Sequence, residues 1–164
     1  MAVTISGSTG LTGVAAIDNV SSTELGYLDG VTSAIQTQLN NIGKWQSWTP
    51  TITQGSAVSR TIDRAQYVQI GKVVIAVCSL AITGAGTVGQ TITLSLPVNA
   101  VAGVGGLGSF RWFDAGNTNY AGTSIISDTT TVIFTINGNG NYLGADQTLA
   151  NSDVFQMSIT YEAG

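Results

Sequence analysis

Nine carboxylates, one thiol and no imidazole make up the reactive side chains of this 164-residue chain. The acids are Asp18, Glu24, Asp29, Asp63, Asp114, Asp128, Asp146, Asp153 and Glu162. Glycoside cleavage needs two of them facing each other across a cleft, and their spacing gives no such pair. Turn-like surroundings, as at Asp29-Gly30, Asp114 before Ala-Gly and Asp146, make solvated turns and caps the better reading. Cys78 lies in the apolar run KVVIAVCSLAI and reads as a small buried hydrophobe. Without histidine there is no Ser-His-Asp or Cys-His pair, and most zinc sites are excluded as well. No calcium-loop or phosphate-cradling glycine motif occurs. The chain is therefore expected not to be an enzyme and to need no cofactor or metal.

The stretch FRWFDAGNTNY carries the densest binding chemistry. Sugar rings stack their C–H faces on aromatics, and their hydroxyls bond to amides, carboxylates and guanidinium groups. Arg111, Trp112, Asp114, Asn117, Asn119 and Tyr120 are the candidate glycan or host contacts. If the stretch is a strand, Phe110 and Trp112 share one face and Arg111 and Phe113 the other, so one pair is core and the other exposed or at a subunit interface.

The elements that position these residues change period along the chain. Residues 1–20 are rich in Gly, Ser and Thr and read as an extended segment that becomes ordered against a partner. Ser21-Ser22-Thr23-Glu24 has the form of a helix capping box. Asp29-Gly30 interrupts the first helical turn, and a second helix runs to about Ile42. Leu28, Ile35 and Ile42 are seven apart, Leu39 falls between the last two, and Val31 or Thr32 takes the earlier place. This heptad-like stripe needs a partner, because so short a helix is marginal alone. It could dock on its own chain's sheet or on further copies of itself. Trp45 and Trp48 flank the change from helix to strand and are expected to plug the join between neck and knob.

From residue 48 the period becomes two. WTPTITQ alternates, RAQYVQIGKVVIAVCSLAIT reads as two strands joined at Gly71-Lys72, and QTITLSLP, GGLGSFRWF, TSIIS, TTTVIFTI and VFQMSITYEA follow. About eight short strands without helices describe a mainly β fold, an antiparallel sandwich of jelly-roll type. The expected domains are an N-terminal anchor at 1–20, a helical neck at 21–44 and a sandwich knob at 45–164.

Composition narrows the partners. Only 9% of residues are charged, against about 25% in an ordinary domain. The net charge is −4, and the five Lys and Arg residues are scattered, so nucleic acid is not an expected partner. MAVTISGSTGLTG lacks the basic start and continuous apolar core of a signal peptide, and no apolar run is long enough to span a bilayer. Folding in the cytoplasm, with no membrane insertion, is the expectation.

SSTELGYLDGVTSAIQTQLN resembles a recurrent segment of bacteriophage tail-fibre and minor tail proteins, of the form T-E-L-x-Y-L-D-G-V-T-x-x-I-Q-x-Q-L. Thr23, Glu24, Leu25, Tyr27, Leu28, Asp29, Gly30, Val31, Thr32, Ile35, Gln36, Gln38 and Leu39 all fit it. The WTP opening, the Tyr-x-x-x-Gly-Lys hairpin and the strand ending in Leu-Pro are similar to the small β domain found in such proteins. The last fifty residues resemble no named family. The resemblance implies a homotrimeric virion appendage, assembled in the host cytoplasm, whose neck is a short three-helix bundle of Leu28, Val31, Ile35, Leu39 and Ile42. Residues 1–20 would then hold other virion proteins. The short segment ahead of the neck leaves a capsid-attached head fibre or decoration protein as one alternative, and a glycan-binding module of a receptor-binding protein as another.

Overall fold

The computed structural model of the chain describes residues 16–17, 20–28, 31, 34–35, 37, 39, 42–103, 105–136 and 142–164. Two compact units are present, Met1–Asn41 and Ile42–Gly164.

In the first unit, β1 (Ala16–Ile17) pairs antiparallel with β2 (Val20–Ser21). These four residues are the described part of the segment ahead of the helix; residues 1–15, 18 and 19 of the expected anchor lie outside the described residues. Helix α1 (Ser22–Gly26) begins where the capping signal sits, with Glu24 in the first turn, where its charge suits the helix dipole. It lasts five residues, and the Tyr27 amide donates back to the Glu24 carbonyl at 3.2 Å. The expected break at Asp29-Gly30 lies outside the described residues. Further on, Ile35, Thr37 and Leu39 are helical. The second helix was expected to end at about Ile42, and there Ile42 and Gly43 form a turn, with Lys44 and Trp45 not helical.

Among the described residues the second unit holds ten strands: β3 (Gln46–Ser47), β4 (Ile52–Gln54), β5 (Ser56–Ala57), β6 (Arg60–Ile70), β7 (Val73–Ile82), β8 (Ile92–Ser95), β9 (Leu107–Phe113), β10 (Asn119–Ile126), β11 (Thr131–Ile136) and β12 (Val154–Glu162). They form one sheet in the order β3-β6-β7-β12-β9-β10-β11-β8-β4-β5. Every pairing is antiparallel. The edges, β3 and β5, are two residues each, and such short edges offer little to a foreign strand.

Alternation decides which face is core. On β7, Val74, Ala76, Cys78, Leu80 and Ile82 are buried, and on β12 so are Phe155, Met157, Ile159 and Tyr161. β6 and β7 are joined at Gly71-Lys72 as expected, and Gly71 takes the φ of +58° that the tight turn demands. Asp63 is an extra residue on β6: Ile62 faces Leu80 while Arg64 already faces Ser79, which bends the strand.

The sheet is curled. β12 and β11 are separated by two strands in the sheet order, so in a flat sheet they would lie roughly 14 Å apart at ~4.8 Å per strand. Yet the rings of Phe155 and Phe134 meet at 4.8 Å, edge to face. Phe110 completes the cluster, stacked on Phe155 at 5.8 Å and edge-on to Phe134 at 5.3 Å. Gly122 makes this packing feasible, since a Cβ there would meet the Phe110 ring at 2.8 Å and collide with the Thr135 carbonyl.

Two buried polar side chains fasten the loops. Gln54 on β4 donates to the Gln147 carbonyl at 2.7 Å and accepts from the Leu149 amide at 2.9 Å. Asp153 accepts from the amides of Ala150 and Ala115 at 2.8 and 2.9 Å, tying the approach to β12 to the β9–β10 turn.

Candidate functional site

The β9–β10 hairpin carries the residues singled out for binding, and pairing sorts them onto opposite faces. Asn119 faces Phe113, Tyr120 faces Trp112, and Ala121 faces Arg111. Phe110 and Trp112 are the core pair, and Arg111 and Phe113 the exposed one.

Trp112 is therefore corrected as a ligand contact. Its side chain is fully buried, stacked on Tyr120 at 4.9 Å, with the indole N–H lacking a partner. Tyr120 is half-buried on the same inner face. Asp114 and Asn117 close the turn: the Asn117 amide group donates to the Asp114 carboxylate at 3.1 Å, and its backbone N–H to the Asp114 carbonyl at 3.1 Å. Of the six candidates, Arg111 and Asn119 remain on the outer face, joined by Phe113, which is 44% exposed.

The outer face reads as cross-strand rows. Arg64 on β6 faces Ser79 on β7, which faces Gln156 on β12, which faces Arg111 on β9. Beside this row run Val77, Ser158, Ser109 and Thr123. Gln156 donates to the Ser79 hydroxyl at 3.4 Å, and Arg64 donates to Gln66 at 3.0 Å. A shallow depression of roughly 260 Å³ opens between Arg111 and Gln156, above Ser109 and Ser158. Among the described residues, Arg111 has neither an ion pair nor a hydrogen bond from its side chain.

Three further acids have structural partners. Asp128 holds the turn into β11, accepting from the amide and hydroxyl of both Thr130 and Thr131 at 2.6 to 2.9 Å. Those bonds, led by the Thr131 hydroxyl, bring its pKa down to about 2. Glu162 pairs with Lys72 at 3.6 Å on the surface. Asp153, expected in a solvated turn or cap, is instead wholly buried and held by backbone amides. No group of three or more His, Cys, Asp or Glu residues suited to a metal ion occurs among the described residues. Cys78 is buried against β12, and desolvation pushes its thiol up to about 12.

The residues expected to form a neck differ from these. Leu28, Val31, Ile35, Leu39 and Ile42 are all exposed in the single chain, by 39 to 64%. Trp45 is exposed as well, with the Arg64 guanidinium 5.8 Å from its ring centre, within cation–π range. Trp48 packs half-buried against the core, with its indole N–H unpartnered. Residues Asp29, Gly30, Thr32, Gln36 and Gln38 of the fibre-like segment lie outside the described residues. No described helix is long and apolar enough to cross a membrane.

The chain matches no protein-family model, no curated protein and no solved structure.

Proposed function

We propose that this chain is a structural bacteriophage virion protein, a short homotrimeric fibre or knob of the tail-fibre or minor-tail type, and not an enzyme. The carrying observation is the exposed stripe of Leu28, Val31, Ile35, Leu39 and Ile42. Fully burying such a side chain is worth roughly 1.5–3 kcal/mol, so leaving five of them in water is unfavourable where only 9% of residues carry charge. Packing with further copies covers all five together. With Leu39 at heptad position a and Ile35 and Ile42 at d, the pattern favours three or four strands over two. The resemblance to fibre neck segments selects three.

In this reading residues 21–44 form the trimeric neck, Trp45 and Trp48 close its join to the knob, and the curled sheet is a jelly-roll-like sandwich. Residues 1–20 hold the particle. An antibody raised against residues 42–164 tests the assignment on particles made from the same genome. Label in few copies at the tail is the expected result; label spread over the capsid turns the reading to a head fibre or decoration protein. Absence of the chain from purified particles refutes both.

A further inference from the structure

We propose that the outer face of β9 and β12 binds an acidic saccharide, with its carboxylate on Arg111, its ring against Phe113, and its hydroxyls on Gln156, Ser109 and Ser158. This goes beyond the reading above, and trimer assembly does not depend on it.

The argument starts from charge. The chain has five cationic side chains. Lys72 is paired with Glu162, Arg64 is engaged by Gln66 and Trp45, Arg60 is half-buried with its Nε enclosed, and Lys44 is exposed on the segment ahead of β3. Arg111 stands on an exposed strand position with no partner among the described residues. A guanidinium offers five donors in a planar fork that matches a carboxylate with two parallel bonds. Scattered cations in a chain of net charge −4 do not suit a polyanion such as nucleic acid. They suit a ligand with isolated negative charges on a polar body.

The neighbours specify that body. Phe113 lies two residues along the same strand face, roughly 7 Å from Arg111 by strand geometry. Its exposed ring offers an apolar surface for the C–H face of a pyranose. Gln156, directly opposite Arg111, is turned toward β7 by its bond to Ser79, which leaves its carbonyl oxygen as an open acceptor. Ser109 and Ser158 face each other across the two strands and add small hydroxyls to the floor of the depression. Arg111 is thus flanked along β9 by Phe113 on one side and the Ser109 hydroxyl on the other, with the Gln156 amide directly across from it. A simple anion would use only Arg111.

The test is an amide-shift NMR titration of the full chain with four probes: sialyllactose, trigalacturonate, the uncharged methyl ester of trigalacturonate, and acetate. At least one acidic saccharide is expected to shift Ser109, Arg111, Phe113 and Gln156, while the ester and acetate bind at least several-fold more weakly. Arg111→Ala should weaken binding roughly tenfold or more, as loss of charge-assisted hydrogen bonds implies, and leave the native mass unchanged. Phe113→Ala should weaken saccharide binding but not any residual acetate effect. The proposal is overturned if neither acidic saccharide shifts these residues up to about 10 mM, the millimolar limit of useful affinity. Equal response to acetate or to the ester also overturns it. A change of native mass in Arg111→Ala assigns the face to contacts between copies and overturns it too. Normal assembly without saccharide binding refutes this inference alone, whereas a monomeric chain that binds refutes the trimer alone.

Discussion

Replacing Gln54 by alanine should be among the most damaging single changes on the sheet, although the residue is polar and lies on a three-residue strand. Its amide donates to the Gln147 carbonyl and accepts from the Leu149 amide, both across more than ninety residues of sequence. Leu149 is fully buried, so its N–H finds no water when the acceptor goes. An orphaned buried group costs about 1–3 kcal/mol. Gln147 is half-exposed and recovers part of its loss from solvent. With the space left by the missing side chain, the total comes to about 3 kcal/mol, or a fall in Tm of roughly 10 °C for a unit of this size. Urea unfolding followed by tryptophan fluorescence, with an unchanged m-value, measures this directly. Gln69→Ala is the control. Its side chain also donates to a carbonyl, that of Gly71 at 3.0 Å, but on the surface, and it should cost less than about 0.5 kcal/mol. If Gln54→Ala is no worse than Gln69→Ala, the buried clasp does not hold the loop and the reasoning fails.

Other consequences follow from the same structure. Because the folded pKa of Asp128 is lowered from 3.8 to about 2, its contribution is complete above the unfolded value and is lost as pH falls from about 4 to about 2; Asp128→Asn should remove that part of the acid dependence, and identical acid titrations of the two proteins would contradict the assignment. Cys78, buried and with its thiol raised to about 12, should react with a disulfide reagent only on unfolding, and rapid labelling of the native protein would show that β7 opens. Gly122→Ala should destabilise by about 1–3 kcal/mol through overpacking against Phe110 and the Thr135 carbonyl, and a neutral result in thermal unfolding would mean the strand relaxes freely.

Much of the sheet could be read from period and turn chemistry. The run VVIAVCSLAI alternates so regularly that strand, core face and the buried role of Cys78 all follow, and Gly71-Lys72 marks the hairpin. Alternation pairs residues on faces but does not say which face is core, so Phe110 with Trp112 and Arg111 with Phe113 could be paired without choosing between them. That choice depends on the curl, which brings Phe134 over Phe155 from strands that are not neighbours in the sheet. The start of β10 at Asn119, ahead of TSIIS, was hidden because Asn and Gly are poor strand formers held there by pairing with β9. Gln54 and Asp153 were illegible for a related reason: a buried polar residue is identified by distant backbone partners, and local pattern carries none of that. In the first unit the capping residues mark where α1 begins, but the pairing of β1 with β2 ahead of it involves two residues a side, too few for a period to show.

The central claim is that the exposed stripe from Leu28 to Ile42 is a surface for further copies of this chain. Light scattering on a sizing column gives the native mass of the 164-residue protein. The account predicts about three times the chain mass of 16.8 kDa, reduced to a single chain by Ile35→Asn, which places an amide on the stripe. A wild-type mass near 16.8 kDa, or a trimer that survives Ile35→Asn unchanged, would contradict it.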